Sequence, residues 1–444
     1  MPETDLLERC RNAVELARAH GADRVEAFAQ SLETVNSTIE KHDLQISKSQ
    51  LEASIGIRAF VGHRVGFAST NDLTQVDAAC RDAIGLAKAS PEDPHNVLPD
   101  PEAVAPVDGL FDPAAETFEA ADAVRRTAKM LALAEDIDRR VIVNDGWFDA
   151  GIRHVAVANS HGLAVEERGS LFTYGALATA RDGDLVSNFD FQFGATRCVA
   201  EIDVERPIRR VCESALASLG ASRGKSFKGT VLLAPTAVSD ILIGTLLFQL
   251  NARNELRGRT RWKDVGQSIA VPSIDLVDDG RLPGGVATAS FDREGVPHRE
   301  TPLIENGVLA SFMHNAYTAH ATGIGNTAHA AGTSRSIPAI GPTNLTLRPG
   351  ETTVEEITAD IHEGLLVRRF SGNADPISGD FSGSAKAAHL IEGGKLTHAV
   401  SGTLIAGNVF DALKGISGLS REVERVFNLT LPYVRLEGIS VTAN

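Results

Sequence analysis

The spacing of the histidines decides which metal chemistry this chain could perform. A zinc peptidase places two histidines on one helix face, four or five residues apart, with a glutamate beside the first as general base. No two of the 13 histidines have that spacing, and His362-Glu363 is an isolated dipeptide. His314, His320 and His329 are separated by six and nine residues. A fold could bring these three together as metal ligands, but histidines at the surface or in hydrogen bonds are the more ordinary interpretation.

One run of basic residues is the concentrated positive feature of the sequence. It contains Arg253, Arg257, Arg259, Arg261 and Lys263. Guanidinium groups bind carboxylates in a two-pronged geometry, so the run predicts contact with an acidic partner surface or with a peptide carboxylate. The alternative is a solvated face with no partner.

Glycine-rich turns punctuate residues 375–411. Asp380, Phe381 and Ser382 lie in the sequence GDFSG, and Asn408 lies in IAGN. These four side chains are weak candidates for contact with a substrate or partner, since Asp, Ser and Asn in such positions more often stabilise the turn itself. In the same stretch, Gly393-Gly394 predicts a hairpin turn.

The elements that must position these residues begin with a helix, a group of strands and a second helix. Apolar spacing predicts helices over residues 5–20 and around 76–87. Alternating apolar residues between them predict a strand meander with a turn at Gly62-His63. Six prolines between about residues 90 and 113 predict an extended connection. Further strands follow, with a tight turn at Asn159-Ser160-His161-Gly162.

The small, polar and basic stretch 222–228 predicts a domain boundary. We therefore divide the chain into an N-terminal domain, residues 1–222, and a C-terminal domain, residues 223–444. Both are expected to be α+β: a strand meander with flanking helices, then a curved antiparallel sheet or half-barrel with helices. A helix is predicted over residues 353–365 in the second domain.

Charge and hydropathy exclude several function classes. With 43 basic and 58 acidic residues the formal charge is −15, which argues against nucleic acid, since a nucleic-acid binder needs positive potential to displace counterions. The N-terminal sequence MPETDLLERC does not resemble a secretory signal. The longest apolar-rich run, 241–250, is about half the length of a membrane-spanning helix. We therefore expect a cytoplasmic protein that does not bind membranes, with its four cysteines reduced and buried.

The order of the motifs closely resembles the TldD/PmbA family, on its TldE (PmbA) side. The resemblance covers essentially all of the second half and, more loosely, the first. It is carried by VLLAP (231–235), LPGGVATASFDREGVP (282–297), IENGVL (304–309), GLLV (364–367), the glycine-rich stretch 375–411 and GIRAFVGHRVGFAST (56–70).

That family pairs a zinc-peptidase subunit with a sister subunit that lacks the zinc ligands. In the zinc-bearing sister, an HExxxH motif follows the strand that resembles VLLAP. The equivalent positions here are 243–248, and Ile243, Gly244 and Phe248 offer no lone pair to a cation. The sister's third ligand is a late cysteine, whereas the last cysteine here is Cys212.

The resemblance therefore implies the non-catalytic subunit of a heteromeric peptidase that acts on flexible or unfolded peptides. It implies no cofactor in this chain, zinc in a TldD-like partner, and homodimers when the chain is alone. Two alternatives remain open. One is an autonomous hydrolase with an unrecognised metal site, built from His314, His320 and His329. The other is a regulatory binding protein, similar to relatives that have been called modulators of DNA gyrase.

Overall fold

The computed structural model describes residues 6–45 and 48–443, and within them the first half is built on one antiparallel sheet of eight strands. Residue 5, where the first predicted helix begins, lies outside the described residues. The strand order is β4-β3-β1-β5-β6-β7, with β2 also on β1 and β8 also on β6. The elements are α1 (Leu6–Ala19), β1 (Arg24–Glu40), β2 (Asp43–Leu44), β3 (Lys48–Val61), β4 (Arg64–Thr70), α2 (Val76–Ala89), a 3-10 helix (Pro113–Thr117), α3 (Ala120–Ile137), β5 (Val141–Asn159), β6 (Ala164–Asp182), β7 (Leu185–Val186), β8 (Asp190–Thr196), a 3-10 helix (Val199–Glu201) and α4 (Glu205–Ala217).

Strand alternation gives this sheet two different faces. On β1 the odd-numbered residues face the helices: Val25, Ala27 and Ala29 pack with α1 and α2, and Val35 and Ile39 pack with α3 and α4. The even-numbered residues face the second half of the chain. Phe28, for example, packs with Val157 of β5 and with Phe291. The helix-free face of the sheet is therefore an interface between the two halves.

The second half contains a sheet of 14 strands among the described residues, mostly antiparallel, with parallel pairs β10–β17, β16–β24 and β9–β21. Its elements are β9 (Ser222–Arg223), β10 (Phe227–Leu233), α5 (Pro235–Val238), a π-helix (Ser239–Ile243), α6 (Gly244–Gln249), α7 (Ala252–Leu256), β11 (Leu276–Asp279), β12 (Glu300–Glu305), β13 (Val308–Leu309), α8 (Ala316–Thr322), β14 (Ala330–Ala331), β15 (Ala339–Ile340), β16 (Leu345–Leu347), α9 (Val354–Ala359), β17 (Glu363–Val367), β18 (Arg369–Ala374), β19 (Asp380–Lys386), β20 (Ala388–Glu392), β21 (Lys395–Ser401), β22 (Thr403–Asn408), α10 (Val409–Lys414), β23 (Ile416–Val426) and β24 (Leu429–Ala443). The short pair β14–β15 stands apart as its own two-stranded sheet.

The α+β class, with one large sheet in each half of the chain, is confirmed. The turns at residues 62–63, 159–162 and 393–394 are confirmed as well, since each joins two paired antiparallel strands. The helix predicted over 353–365 is confirmed in its first part only: α9 runs from Val354 to Ala359, and Glu363–Val367 is a strand. The domain boundary near residue 222 stays a prediction. No helix in the described part of the chain is long and apolar enough to cross a membrane.

Candidate functional site

The helical segment after β10 occupies the position where the resemblance places metal ligands in the zinc-bearing sister. It begins with Pro235 at the first helical position and passes through a π-helix before α6. Ile243 is buried in the core of the second half, and Phe248 is half-buried. Gly244 is exposed, and a β-carbon built there would have no atom within 4 Å. At these three positions the segment therefore presents a buried aliphatic side chain, an exposed glycine and a half-buried aromatic ring, none of which carries a metal-ligating atom.

The basic run continues from α7 into an exposed loop. Arg257, Arg259, Arg261 and Lys263, here called the basic patch, are all exposed. Arg261 lies over the ring of Phe410, with its guanidinium carbon 4.8 Å from the ring centre. No ion pair joins any of these four cations to a carboxylate within residues 6–45 and 48–443. The patch is thus an unneutralised positive surface on an acidic protein.

Arg253 is separated from the basic patch by its packing. Its guanidinium lies 4.9 Å from the ring centre of Tyr317, whose hydroxyl donates a hydrogen bond to Asp93 at 2.8 Å. Desolvation raises the pKa of Tyr317, and the hydrogen bond to Asp93 adds to that effect. Arg253 therefore belongs to the contact between α8 and the proline-rich connection.

Most of the candidate polar side chains in the glycine-rich turns form hydrogen bonds within those turns. Asn408 caps α10 by accepting from the backbone N–H of Phe410, and it donates to Asp380 at 2.8 Å. Phe381 is buried and packs edge-on against Phe370. Ser382 is exposed on β19. The turn-stabilising interpretation therefore describes Asp380 and Asn408, while Ser382 remains available on the surface.

Gln249, which the sequence analysis did not single out, joins the basic run to the glycine-rich turn. Its amide oxygen accepts from the backbone N–H of Arg261 at 2.7 Å, and its amide nitrogen donates to the carbonyl of Pro376 at 2.7 Å. The side chain is fully buried, so both bonds form in an environment where water does not compete. Only a residue type that is both donor and acceptor can make this link, but a lone glutamine gives no signal in a sequence.

The three histidines of the alternative metal site do not converge. His314 and His329 are buried, and the backbone N–H of His329 donates to the carbonyl of His314. His320 instead lies at the surface, where its Nδ1 is 3.1 Å from Nδ1 of His95. His329 pairs with Asp278 at 3.1 Å. Within the described residues, no group of three or more His, Cys, Asp or Glu is arranged to hold a metal ion.

Burial makes His314 and a further buried histidine, His298, poor bases. Neither ring nitrogen of His314 has a hydrogen-bond partner among the described residues, and desolvation lowers its pKa to about 4. Desolvation also lowers the pKa of His298 to about 4, with the nearby His329 adding a smaller effect. Both rings are therefore neutral at physiological pH.

A closed network of charges joins the two halves next to Phe28. Glu26 of the sheet accepts from Arg58 at 2.5 Å and from Arg293 of the second half at 2.9 Å. Arg58 also donates to Glu294 at 2.8 Å. All four side chains are buried. Two cations and two anions neutralise one another, so this cluster fixes the interface and leaves no charge for a ligand.

Comparison with known proteins gives a consistent family match over most of the chain. Three family models match: PmbA/TldA metallopeptidase domain 1 over residues 25–87, the central domain over 113–219 and the C-terminal domain over 226–443. The crystal structure of TldE from Thermococcus kodakarensis is 25% identical, covers 98% of this chain and 100% of its own, and has a TM-score of 0.90.

Two curated relatives have similar coverage. An uncharacterized protein of Methanocaldococcus jannaschii is 24% identical over 96% of this chain and 98% of its own length. The metalloprotease PmbA of Escherichia coli O157:H7 is 23% identical over 98% of this chain and 96% of its own length.

Proposed function

The chain belongs to the PmbA/TldD metallopeptidase family, on its TldE (PmbA) side, and we propose that it is the metal-free subunit of a heteromeric peptidase. In this proposal a TldD-type partner subunit supplies the zinc and the activated water. This chain completes the assembly and helps to enclose a flexible or unfolded peptide.

The observation that carries the proposal is the donor set of the segment after β10. A zinc ion, which the family name implies, needs nitrogen, sulfur or carboxylate ligands in a tetrahedral arrangement. The side chains of Ile243, Gly244 and Phe248 provide none of these. These residues do not fit a zinc ion, so we derive no hydrolytic step from this chain's own side chains.

The basic patch supports the partner half of the proposal. Four neighbouring cations repel one another, and an acidic surface would relieve that repulsion and speed association through electrostatic attraction. Gln249 holds the loop in place from beneath. The patch is our candidate for contact with the partner subunit or with the peptide, together with the exposed Ser382.

Zinc content and peptidase activity of the chain alone test the metal-free role. We expect substoichiometric zinc after purification with zinc supplied, no hydrolysis of an unfolded casein substrate, and hydrolysis once a TldD-type partner is added. The variants His314→Leu and His329→Leu should leave the zinc content unchanged. One tightly held zinc per chain that is lost in either variant, together with hydrolysis by the isolated chain, would overturn the proposal.

Charge reversal tests the role of the basic patch. We expect the double variant Arg257→Glu/Arg259→Glu to weaken binding of a TldD-type partner at least tenfold at low salt, with a smaller loss at high salt. The matched control is Arg139→Glu/Arg421→Glu, which makes the same charge change at two exposed arginines elsewhere. If both variants weaken binding equally, only the net charge matters, and the patch is not the docking surface.

A further inference from the structure

A cavity of about 290 Å³ lies at the other end of the interface between the two halves. One wall is the helix-free face of the first sheet, including Leu32, Thr34 and Leu171. The opposite wall is the loop 286–289 of the second half. The volume is at the small end of the range for ligand pockets. The cavity is separate from the basic patch and from the segment after β10, since none of their residues lines it.

The wall formed by loop 286–289 is held in place by Arg197. Its guanidinium donates to the carbonyls of Gly285, Val286 and Thr288 at 2.8, 2.8 and 2.7 Å. Asn344 supports the same loop by accepting from the backbone N–H of Ala287 at 3.0 Å. The space is therefore preformed and does not depend on a mobile wall. Because Arg197 is occupied by backbone carbonyls, it is not the group that a ligand would contact.

Arg153 is the cation in this cavity that lacks a partner. It lies on β5 between Leu32 of β1 and Gly169 of β6, and neither neighbour offers a polar side-chain atom. Among the described residues it forms no hydrogen bond or ion pair, although solvent reaches it through the cavity. Desolvation lowers its pKa, and the charge of Glu167 only partly offsets this effect. A guanidinium with five N–H donors and no acceptor is a strong site for an anion.

The other groups around the cavity limit what that anion can be. Glu167 accepts from the backbone N–H of Ser290 at 2.6 Å, and its charge partly opposes the lowering of the Arg153 pKa. Asp149 lies on the same strand face four residues from Arg153, roughly 13 Å along the strand, and burial raises its pKa. Leu171, opposite Gly151, supplies apolar surface between the two charged groups, Leu32 lies opposite Arg153, and Val155 lies beyond Arg153. The lining thus offers a cation at one end, an apolar middle and a hydrogen-bond acceptor at the other end.

We propose that this cavity binds a small elongated molecule whose carboxylate is held by Arg153 and whose far end donates a hydrogen bond to Asp149. The carboxylate could belong to a free organic acid or to the C-terminus of a short peptide. The proposal concerns a different part of the molecule from the partner surface and does not depend on the metal content of the chain.

Calorimetric titration of the full chain with defined probes tests this inference. The probes are hexanoate, 6-aminohexanoate, hexylamine, and trialanine with a free or an amidated C-terminus. We expect 6-aminohexanoate to bind more tightly than hexanoate, and hexylamine not to bind. Binding of free trialanine but not of its amide would indicate that the ligand is a peptide with a free C-terminus. Binding of hexanoate and 6-aminohexanoate but not of trialanine would indicate that it is an organic acid.

Two variants locate the binding. Arg153→Gln should weaken the binding of the acid probes by about 10- to 100-fold, which corresponds to the loss of a hydrogen bond to a charged group. Gly151→Leu should abolish binding while Arg153 is intact, because a β-carbon at Gly151 meets only ordinary contacts at 3.7 Å or more and the rest of the side chain would fill the cavity. Arg139→Gln at the surface is the control. Failure of every acid probe to bind, or binding that is unchanged in both variants, would overturn the proposal.

Discussion

At the Glu26 end of the interface, charged side chains are buried and paired, whereas at the Thr34 end a charged side chain lines a cavity without a partner. Both ends lie on the same face of β1, eight residues apart, or roughly 26 Å along the strand. At the first end Arg58 and Arg293 each reach a carboxylate. At the second end Arg153 reaches none within the described part of the chain.

The difference teaches which groups can be buried without a partner. An arginine cannot lose its proton in a protein, so it requires acceptors or solvent wherever it lies. The Glu26 end provides carboxylates as these acceptors for both Arg58 and Arg293. The Thr34 end keeps an open space beside Arg153. A histidine has a third option, since it can be neutral, and His314 is buried with both ring nitrogens unpartnered.

The largest loss of stability is expected when a carboxylate is removed from the charge network at the Glu26 end. Glu26→Ala leaves Arg58 with one carboxylate and leaves Arg293 with none in this network, and removing one partner of a buried ion pair costs about 3–5 kcal/mol. Urea unfolding should show this loss as a lower midpoint. Glu33→Ala, at an exposed position on the same strand, is the matched control. If Glu26→Ala costs no more than the control, the network does not stabilise the interface.

The next largest effect is a dependence of stability on pH that comes from His314. Its pKa is about 4 in the folded chain and about 6.5 when unfolded, so the unfolded state binds more protons between these values. The contribution of His314 to the free energy of unfolding should therefore be complete above pH 6.5. It should fall by roughly 3 kcal/mol as the pH drops to 4. We expect His314→Leu to reduce this fall, as measured by urea unfolding at both pH values.

His362→Leu provides the control for that experiment. His362 is exposed, so solvent contacts its ring in both states and its removal should leave the fall with pH unchanged. An equal fall in wild type and in His314→Leu would mean that other groups cause the pH dependence. His298 is the first of these to test, since burial lowers its pKa to the same value.

Local signals in the sequence were enough to predict much of the fold. The turns at 62–63, 159–162 and 393–394 follow from glycine and asparagine between alternating apolar runs. The helix predicted over 353–365 ends early, at Ala359, because Glu363–Val367 is a strand whose residues Leu365 to Val367 pair in parallel with Val231 to Leu233. Gly364 fits this pairing, since a β-carbon there would lie 2.9 Å from the carbonyl oxygen of Thr230. A strand partner more than 130 residues away overrode the local pattern.

The sites were less predictable than the fold because their members are distant in sequence. Arg293 is 267 residues from Glu26, and loop 286–289 is more than 130 residues from Arg153. No spacing rule connects such residues in a single sequence. The basic patch could be predicted because its cations lie close together in the sequence, whereas Gln249, which anchors it, could not. The roles of Ile243, Gly244 and Phe248 rest on the family resemblance and stay predictions.

The smallest effect on stability is expected at the Thr34 end of the interface, in contrast to the large effect at the Glu26 end. Arg153→Gln removes a solvent-exposed charge that has no hydrogen-bond partner among the described residues, so only its screened attraction to Glu167 is lost. We expect a change within about 0.5 kcal/mol by urea unfolding, against a larger loss for Arg293→Gln, which leaves Glu26 paired with Arg58 alone. Addition of 6-aminohexanoate should then raise the unfolding midpoint of the wild type but not of Arg153→Gln, because a ligand stabilises only the state that binds it. A loss above about 2 kcal/mol for Arg153→Gln in the absence of ligand would show that Arg153 already has a structural role, and the two ends of the interface would then be alike.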